Sequence, residues 1–354
     1  MKVYFVGAGY KGCYYVRCLL PLQAGGWWGS QESRFSERVS PQKMYEGAMA
    51  ADIVVFHRPD QDTMVKAVKG LQMAGKKVVV DNDDTLLPNT GVPTTMYGNK
   101  EEEMLNTMNS NVYAALENAD LVSASTDFLA EEYRKKNKNV ATLPNCVDDL
   151  DWHTPKRNEG NKVRIGVVGS TMANDDAKHI EGLLKELSDR EDVQLVALGL
   201  PPEKDENYKL SRKIYKDDMD FWAQFDLERT PWVKQQDYND ALNNLELDIM
   251  LIPRHDSYFN RCKSNLKFLE ASMCEIPVIG QAFEDGKSPY QYESDAPYLL
   301  TANTVGEWRE QVAHLMDKKT RRDLGAAAHK YVVDKYHIDK NIHLWENAYK
   351  KLMK

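Results

Sequence analysis

The chain lacks most of the features that would place it in a class at a glance. No apolar run approaches the ~20 residues of a membrane-spanning helix. The opening MKVYFVGAGY has neither the long apolar stretch nor the small-residue cleavage site of a leader, so the sequence reads as cytoplasmic. Cysteines number five in 354 residues: Cys13, Cys18, Cys146, Cys262 and Cys274, with no CxxC pair. An odd, scattered set fits reduced thiols, not a disulfide frame. No Cys/His cluster has the spacing of a zinc site. Excess positive charge is also missing. The formal charge is −8, which disfavours general nucleic-acid binding driven by charge. The basic run Lys135, Lys136, Lys138 reads as a solvated face. Repeats and low-complexity segments are absent.

What remains is a chain long for one core and comfortable for two. Strand patterns fall at Lys2–Val6, Asp52–His57, Lys77–Asp81, Asp120–Ala124 and Val140–Leu143. Helical patterns fall between them, at Asp62–Ala74 and Lys100–Glu117. A polar stretch, Asp148–Asn161, then interrupts the alternation. The pattern restarts with a strand at Lys162–Val168, a Gly169-Ser170-Thr171 turn and a helix at Asp175–Leu187. Further strands are expected at Val193–Leu198, Ile249–Ile252 and Pro277–Gly280, and an amphipathic helix at Lys340–Met353.

Two βα arrays in series predict an α/β protein with two Rossmann-like, doubly wound parallel-sheet domains facing a central cleft. The expected division is 1–155, 156–335 and a C-terminal helix, 336–354, packing back on the first domain. Ligands in such sheets bind outside the carboxyl ends of the strands. Two facing sheets of this kind suit transfer of a group between two molecules.

The most informative stretch is PWVKQQDYNDALNNLELDIMLIPRHDSYFNRCKSNLKFLEASMCEIPVIG. Asp248 opens a strand that ends in Pro253, a polar loop follows, then a helix with Glu270, then the strand Pro277-Val278-Ile279. This resembles the donor-binding half of GT-B-fold glycosyltransferases, family 4 and its relatives in particular. The resemblance implies that Glu270 takes the ribose hydroxyls of a nucleotide. It also implies transfer with retention of configuration and no essential metal.

The residues point the same way. Lys263, Lys267 and Glu270 stand at i, i+4 and i+7, so one continuous helix would carry all three on one face. A helix start near Asn260–Ser264 would offer unpaired N–H groups to an anion. Ser264 sits in that start. The family has a glutamate where this chain has Cys262, and an Arg/Lys pair after the first strand of the second domain that this chain lacks. Arg254, Arg261 and Lys263 are the substitutes expected to neutralise phosphate, with Gly169 and Ser170 approaching closely at the turn.

Gly7-Ala8-Gly9-Tyr10-Lys11-Gly12 is a GxGxxG between a strand and a helix, which raises dinucleotide binding. That fingerprint wants an acidic residue ending the second strand, and the chain there reads QAGGWWGS. By the resemblance, Gly9 and Gly12 instead face the donor phosphates. Arg17 and Pro21 match a YxR…P arrangement of the family's first helix.

The strand Val78-Val79-Val80 runs into Asp81-Asn82-Asp83-Asp84. Literally this contains the DxD with which the other large glycosyltransferase fold holds a metal. In the two-domain reading Asp83 and Asp84 orient the acceptor hydroxyl or the donor sugar; their competing reading is a turn and cap. His57 and Arg58 end the neighbouring strand, and Arg58 is the better candidate. Ser125-Thr126 and Pro144-Asn145 read as turns near the cleft, and Pro289-Tyr290, after the last matched strand, reads either as a contact to the donor or a closure of the cleft, or as a plain loop.

The function expected from the sequence is transfer of a hexosyl or pentosyl group from a UDP- or GDP-sugar to an acceptor hydroxyl. The acceptor is a cell-surface glycan, a lipid-linked intermediate or a modified viral DNA base. Two rival readings are an NAD-dependent oxidoreductase and a non-catalytic nucleotide-sugar binder.

Overall fold

The computed structural model describes residues 1–7, 12–31, 39–85, 102–149, 152, 154–169, 174–200, 216–293 and 296–354. Gly9 and Ser170 lie outside the described residues.

Two six-stranded parallel sheets organise the chain. The first comprises β1 (Val3–Gly7), β2 (Trp28–Gly29), β3 (Ile53–His57), β4 (Lys77–Asn82), β5 (Leu121–Ala124) and β6 (Val140–Thr142), in the order β2-β1-β3-β4-β5-β6. The second comprises β7 (Val163–Val168), β8 (Val193–Leu200), β9 (Leu227–Pro231), β10 (Ile249–Ile252), β11 (Val278–Gln281) and β12 (Leu299–Ala302), in the order β12-β11-β10-β7-β8-β9. Strand order reverses beside β1 in one sheet and beside β7 in the other.

The strands are near-continuous aliphatic runs because both faces of each sheet are covered. Alternate residues feed opposite cores, as the two-residue period of a strand requires. Tyr4, Val6, Val54 and Phe56 enter one core of the first sheet, and Val3, Phe5, Ile53 and Val55 enter the other. Ile165, Leu195, Ile249 and Leu251 enter one core of the second sheet, and Val168, Val196, Met250 and Ile252 the other.

Three strands escaped the sequence patterns. β2 has only two residues, and β9 is LERTP, exposed or half-buried along its length. β12 is LLTA at the edge of its sheet. Edge strands bury less and carry less of the aliphatic signal. The helix expected over Asp175–Leu187 is broken into Asn174–Ala177, a 3₁₀ turn at Lys178–Ile180 and Glu181–Ser188.

The C-terminal helix, Ile338–Leu352, leaves the second sheet and lies on the first. Ile338, Trp345 and Tyr349 join the core that holds Phe5, Leu19 and Leu20, and the rings of Tyr349 and Trp27 lie 5.4 Å apart. The preceding turn is tied down where Ile338 N–H donates to Val147 C=O and Val147 N–H donates to Tyr336 C=O.

Glycine is required at Gly199, inside β8. Its φ is +114°, and a Cβ there would fall 1.6 Å from the carbonyl oxygen of Gly169. The end of β7 and the bulge in β8 therefore touch backbone to backbone, beside the turn the sequence marks for phosphate.

Candidate functional site

At the carboxyl end of the first sheet, β3 stops at His57 and the next residue, Arg58, turns back with φ +50°. A non-glycine residue in this region costs about 1–3 kcal/mol unless its surroundings hold it. Here they do. Arg58 N–H donates to Asp81 C=O at 3.0 Å. Its guanidinium donates through Nε to Asp83 Oδ1 at 2.7 Å, and through Nη2 to Asp84 and to Cys13 Sγ, the last at 3.5 Å. The strained turn thus aims one cation at two adjacent carboxylates.

Asp83 and Asp84 are buried. Burial alone would raise the Asp83 carboxyl, but the Arg58 cation first, and then the neighbouring His57, hold it well below the usual carboxylate range. His57 Nε2 is 3.5 Å from Asp83 Oδ1 and makes no hydrogen bond among the described residues. Cys13, half-buried beside these carboxylates, has its thiol pushed up to about 12, chiefly by desolvation and then by Asp83. It stays protonated and does not compete as a nucleophile.

The first aspartate of the run has a different task. Asp81 accepts from Arg17 Nε at 3.1 Å, from Arg17 Nη2 at 2.6 Å and from Ser123 Oγ at 2.6 Å. Arg17 lies in a π-helical turn, Tyr15–Leu19, and is fully buried. It also donates to Leu143 C=O and to Asn145 Oδ1. Asp81 is thereby consumed in a bidentate internal pair, and the literal DxD does not present two like carboxylates. Asn82 is held from behind by Tyr133, whose hydroxyl lies 2.6 Å from Asn82 Nδ2 and donates to Asp84 C=O at 2.8 Å.

The second sheet supplies the facing wall. After β10 the chain runs through Pro253 and Arg254 into a short helix, Tyr258–Cys262, capped by Ser257. The helix ends at Lys263, which is extended, and a new helix begins at Leu266 and runs to Met273. The continuous helix expected from Lys263 to Glu270 is therefore corrected. Asn260–Ser264 is not a helix start, and Lys263 does not share a helix face with Lys267 and Glu270. The break at Lys263-Ser264-Asn265 releases Lys263 across the cleft, where Nζ donates to Asp84 Oδ1 at 2.5 Å. Ser264 receives a hydrogen bond from Asn145 Nδ2 at 2.8 Å, also from the first sheet's side.

Lys267 and Glu270 share the Leu266–Met273 helix one turn apart, with Lys267 Nζ 3.0 Å from Glu270 Oε2. Tyr238, opening another helix, donates to the same oxygen at 2.8 Å. Arg254 donates to Asp176 Oδ2 at 2.7 Å, while its Nε is buried with no partner among the described residues. Asp176 also accepts from His255 N–H and Asn260 Nδ2, so the loop after β10 is pinned to the segment following the Gly169 turn. Arg261 turns away. It pairs with Asp256 at 2.7 Å and with Asp285 at 2.5 Å, and does not join Lys263.

Other sequence candidates have plain structural tasks. Gly12 opens the first helix. Thr126 caps the helix Asp127–Arg134 and donates to Cys262 C=O at 3.3 Å. Tyr290 is buried against Gly280. Cys262 is fully buried within a core of the first sheet, and desolvation pushes its thiol up to about 12. The position where the resemblance expects a glutamate is thus a packing position. Asn145, read from the sequence as part of a turn near the cleft, bridges Arg17 and Ser264, whereas Tyr238, Tyr133 and Asp176 were not singled out from the sequence. Each acts through a partner far along the chain, and no local pattern marks them.

Residues 178–347 match a family model described as glycosyl transferase-like. No curated protein sequence matches the chain. Among solved structures, sucrose-phosphate synthase from Thermosynechococcus elongatus superposes with a TM-score of 0.66 at 14% identity, over 100% of this chain and 99% of its own. Anabaena HepE in complex with UDP superposes with a TM-score of 0.64 at 11% identity, over 99% and 100%. A glycosyltransferase from Rickettsia africae gives 0.60 at 11% identity, over 99% and 98%. The architecture is GT-B, and the helix that carries Glu270, Leu266–Met273, lies within the matched region.

Proposed function

We propose, from a GT-B fold whose C-terminal half is glycosyl transferase-like, that the chain transfers a sugar from a nucleoside-diphosphate donor to an acceptor hydroxyl. The observation that carries this reading is the meeting of two differently charged walls at one cleft. Lys263, from the second sheet, reaches Asp84 on the first, one helix away from the half-buried Glu270.

The donor's ribose is assigned to Glu270. Its diphosphate is assigned to Gly169, Arg254, Lys263 and Ser264, and, on the sequence resemblance alone, to Ser170, Gly9 and Gly12. A diphosphate leaving group gains negative charge as the glycosidic bond breaks. Cations fixed beforehand stabilise that charge without reorganising, which is the main catalytic contribution such a cleft offers. Lys263 is held by Asp84 in this structure, so an entering diphosphate would exchange one anion for another.

Asp83, Asp84 and Arg58 are assigned to the sugar and the acceptor hydroxyl. Arg58 holds both carboxylates fixed, ready to accept hydrogen bonds from hydroxyl groups. No protein nucleophile is required if transfer proceeds on one face with retention, and no metal enters the proposal. UDP is favoured as the nucleotide because HepE, similar in fold, holds UDP and UDP-glucose. A glycan or lipid-linked acceptor suits the acidic chain better than DNA does.

The oxidoreductase reading gains no support from β2. That strand ends at Gly29 and is followed by Ser30 and Gln31, neither of them acidic, and Ser30 Oγ accepts from Gly7 N–H at 3.3 Å. Thermal-shift screening against UDP, GDP, ADP, CMP, NAD and nucleotide sugars tests the proposal. Stabilisation by one nucleoside diphosphate, lost in Glu270→Ala, is the expected result. Stabilisation by NAD alone, or indifference to Glu270→Ala, would refute it.

A further inference from the structure

Taking Glu270 as the ribose residue, we propose that Lys267 is a second ribose ligand: Glu270 accepts from one ribose hydroxyl and Lys267 donates to the other. The inference rests on that reading of Glu270 and adds to it.

A carboxylate that holds a vicinal diol alone needs one oxygen for each hydroxyl. In this chain Oε2 is already engaged twice, by Tyr238 Oη at 2.8 Å and by Lys267 Nζ at 3.0 Å. Among the described residues no hydrogen bond reaches Oε1. An ammonium has three donors. Lys267 spends one on Glu270 and one on Tyr238 Oη at 2.8 Å, with its charge 5.0 Å from the centre of the Tyr238 ring. One carboxylate oxygen and one ammonium hydrogen are left over within a single helical turn. Each hydroxyl of a diol can donate or accept, so the pair matches a diol that donates once and accepts once.

Tyr238 is the positioning residue. It comes from the separate helix Tyr238–Asn244, and its hydroxyl accepts from Lys267 while donating to Glu270. It fixes which oxygen and which hydrogen remain. A merely structural i, i+3 ion pair would need no such third group.

The test measures dissociation constants for UDP, 2′-deoxy-UDP and 3′-deoxy-UDP by calorimetry, on wild type, Lys267→Met, Lys267→Arg and Glu270→Ala. If another nucleoside diphosphate is the one that binds, its deoxy analogues replace these. Wild type should lose about tenfold in affinity for each missing hydroxyl, as expected for hydrogen bonds to charged groups. In Lys267→Met one of the two penalties should vanish, and in Glu270→Ala the other. Lys267→Arg, which keeps a donor, should retain both. Retention of both penalties in Lys267→Met would overturn the inference alone and leave Glu270 as the ribose residue. If Lys267→Met binds no nucleotide, Lys267→Arg decides: binding with both penalties supports the inference, and no binding overturns it. Failure of any nucleoside diphosphate to bind wild type would overturn the Glu270 reading and this inference together.

Discussion

At the scale of single residues, the site is a set of charges whose partners decide their use. Arg17 and Asp81 are both buried and neutralise each other away from the cleft. Removing one partner of such a pair leaves an uncompensated buried charge, at a cost of about 3–5 kcal/mol. Arg17→Met should therefore lower stability by about that amount in urea titration, and Arg17→Met/Asp81→Leu should recover much of it. Asp83 supplies a different test. Its folded carboxyl titrates well below the ordinary value. Its contribution is thus complete above the unfolded pKa and is lost as pH falls through the folded one. Wild type should lose stability as pH drops below about 5, and Asp83→Asn should show a shallower acid limb in thermal melts recorded against pH. Equal slopes would contradict the assigned shift. Asp81 and Asp83 differ by two positions and look alike in sequence. Their separate roles follow from Arg17 and Arg58, which approach from other elements, so the distinction was not legible from spacing.

At the scale of elements, strand–turn–helix junctions carry both the legible and the illegible parts. The central strands announced themselves as aliphatic runs, and their ends gave His57, Arg58 and the aspartate run as cleft residues. The break between Cys262 and Leu266 did not announce itself. Lys263, Lys267 and Glu270 have helical spacing, and nothing between them is proline or glycine. What interrupts the helix is tertiary. Asn145 holds Ser264, Thr126 holds the Cys262 carbonyl, and Asp84 holds Lys263. Local propensity yields to such contacts because each residue of helix is worth only tenths of a kcal/mol. The junction between β7 and β8 invites a direct test. Gly199→Ala places a Cβ against the Gly169 carbonyl at a backbone angle unfavourable to alanine. It should destabilise the second sheet and weaken nucleotide binding together, as read by hydrogen exchange over 163–200 and by calorimetry. Unchanged exchange with weakened binding would place the effect on the ligand alone.

At the scale of the whole molecule, the segment assigned to phosphate is built by both halves. Tyr258 donates to Glu132, the rings of Tyr258 and Phe128 lie 5.4 Å apart, and Cys262 is buried in the first sheet's core. The C-terminal helix makes the reciprocal crossing, with Trp345 almost fully buried in the other core of the first sheet. Trp345→Ala should cost about 3–5 kcal/mol and remove exchange protection from residues 14–29, far from it in sequence. Loss of protection confined to the C-terminal helix would contradict this packing. The amphipathic pattern of the helix was readable, and so was its buried side. The hand-over of Cys262 was not, because a lone buried cysteine carries no mark of which core it enters.

The central claim is that a nucleotide lies against the second sheet, with its diphosphate turned toward the first. A crystal structure with the nucleoside diphosphate selected by thermal-shift screening tests it most directly. The account places the ribose at Glu270 and the diphosphate between the Gly169 turn and Lys263, with Lys263 drawn off Asp84. A nucleotide bound only at the Gly7–Gly12 segment, with Glu270 and Lys263 untouched, would contradict it.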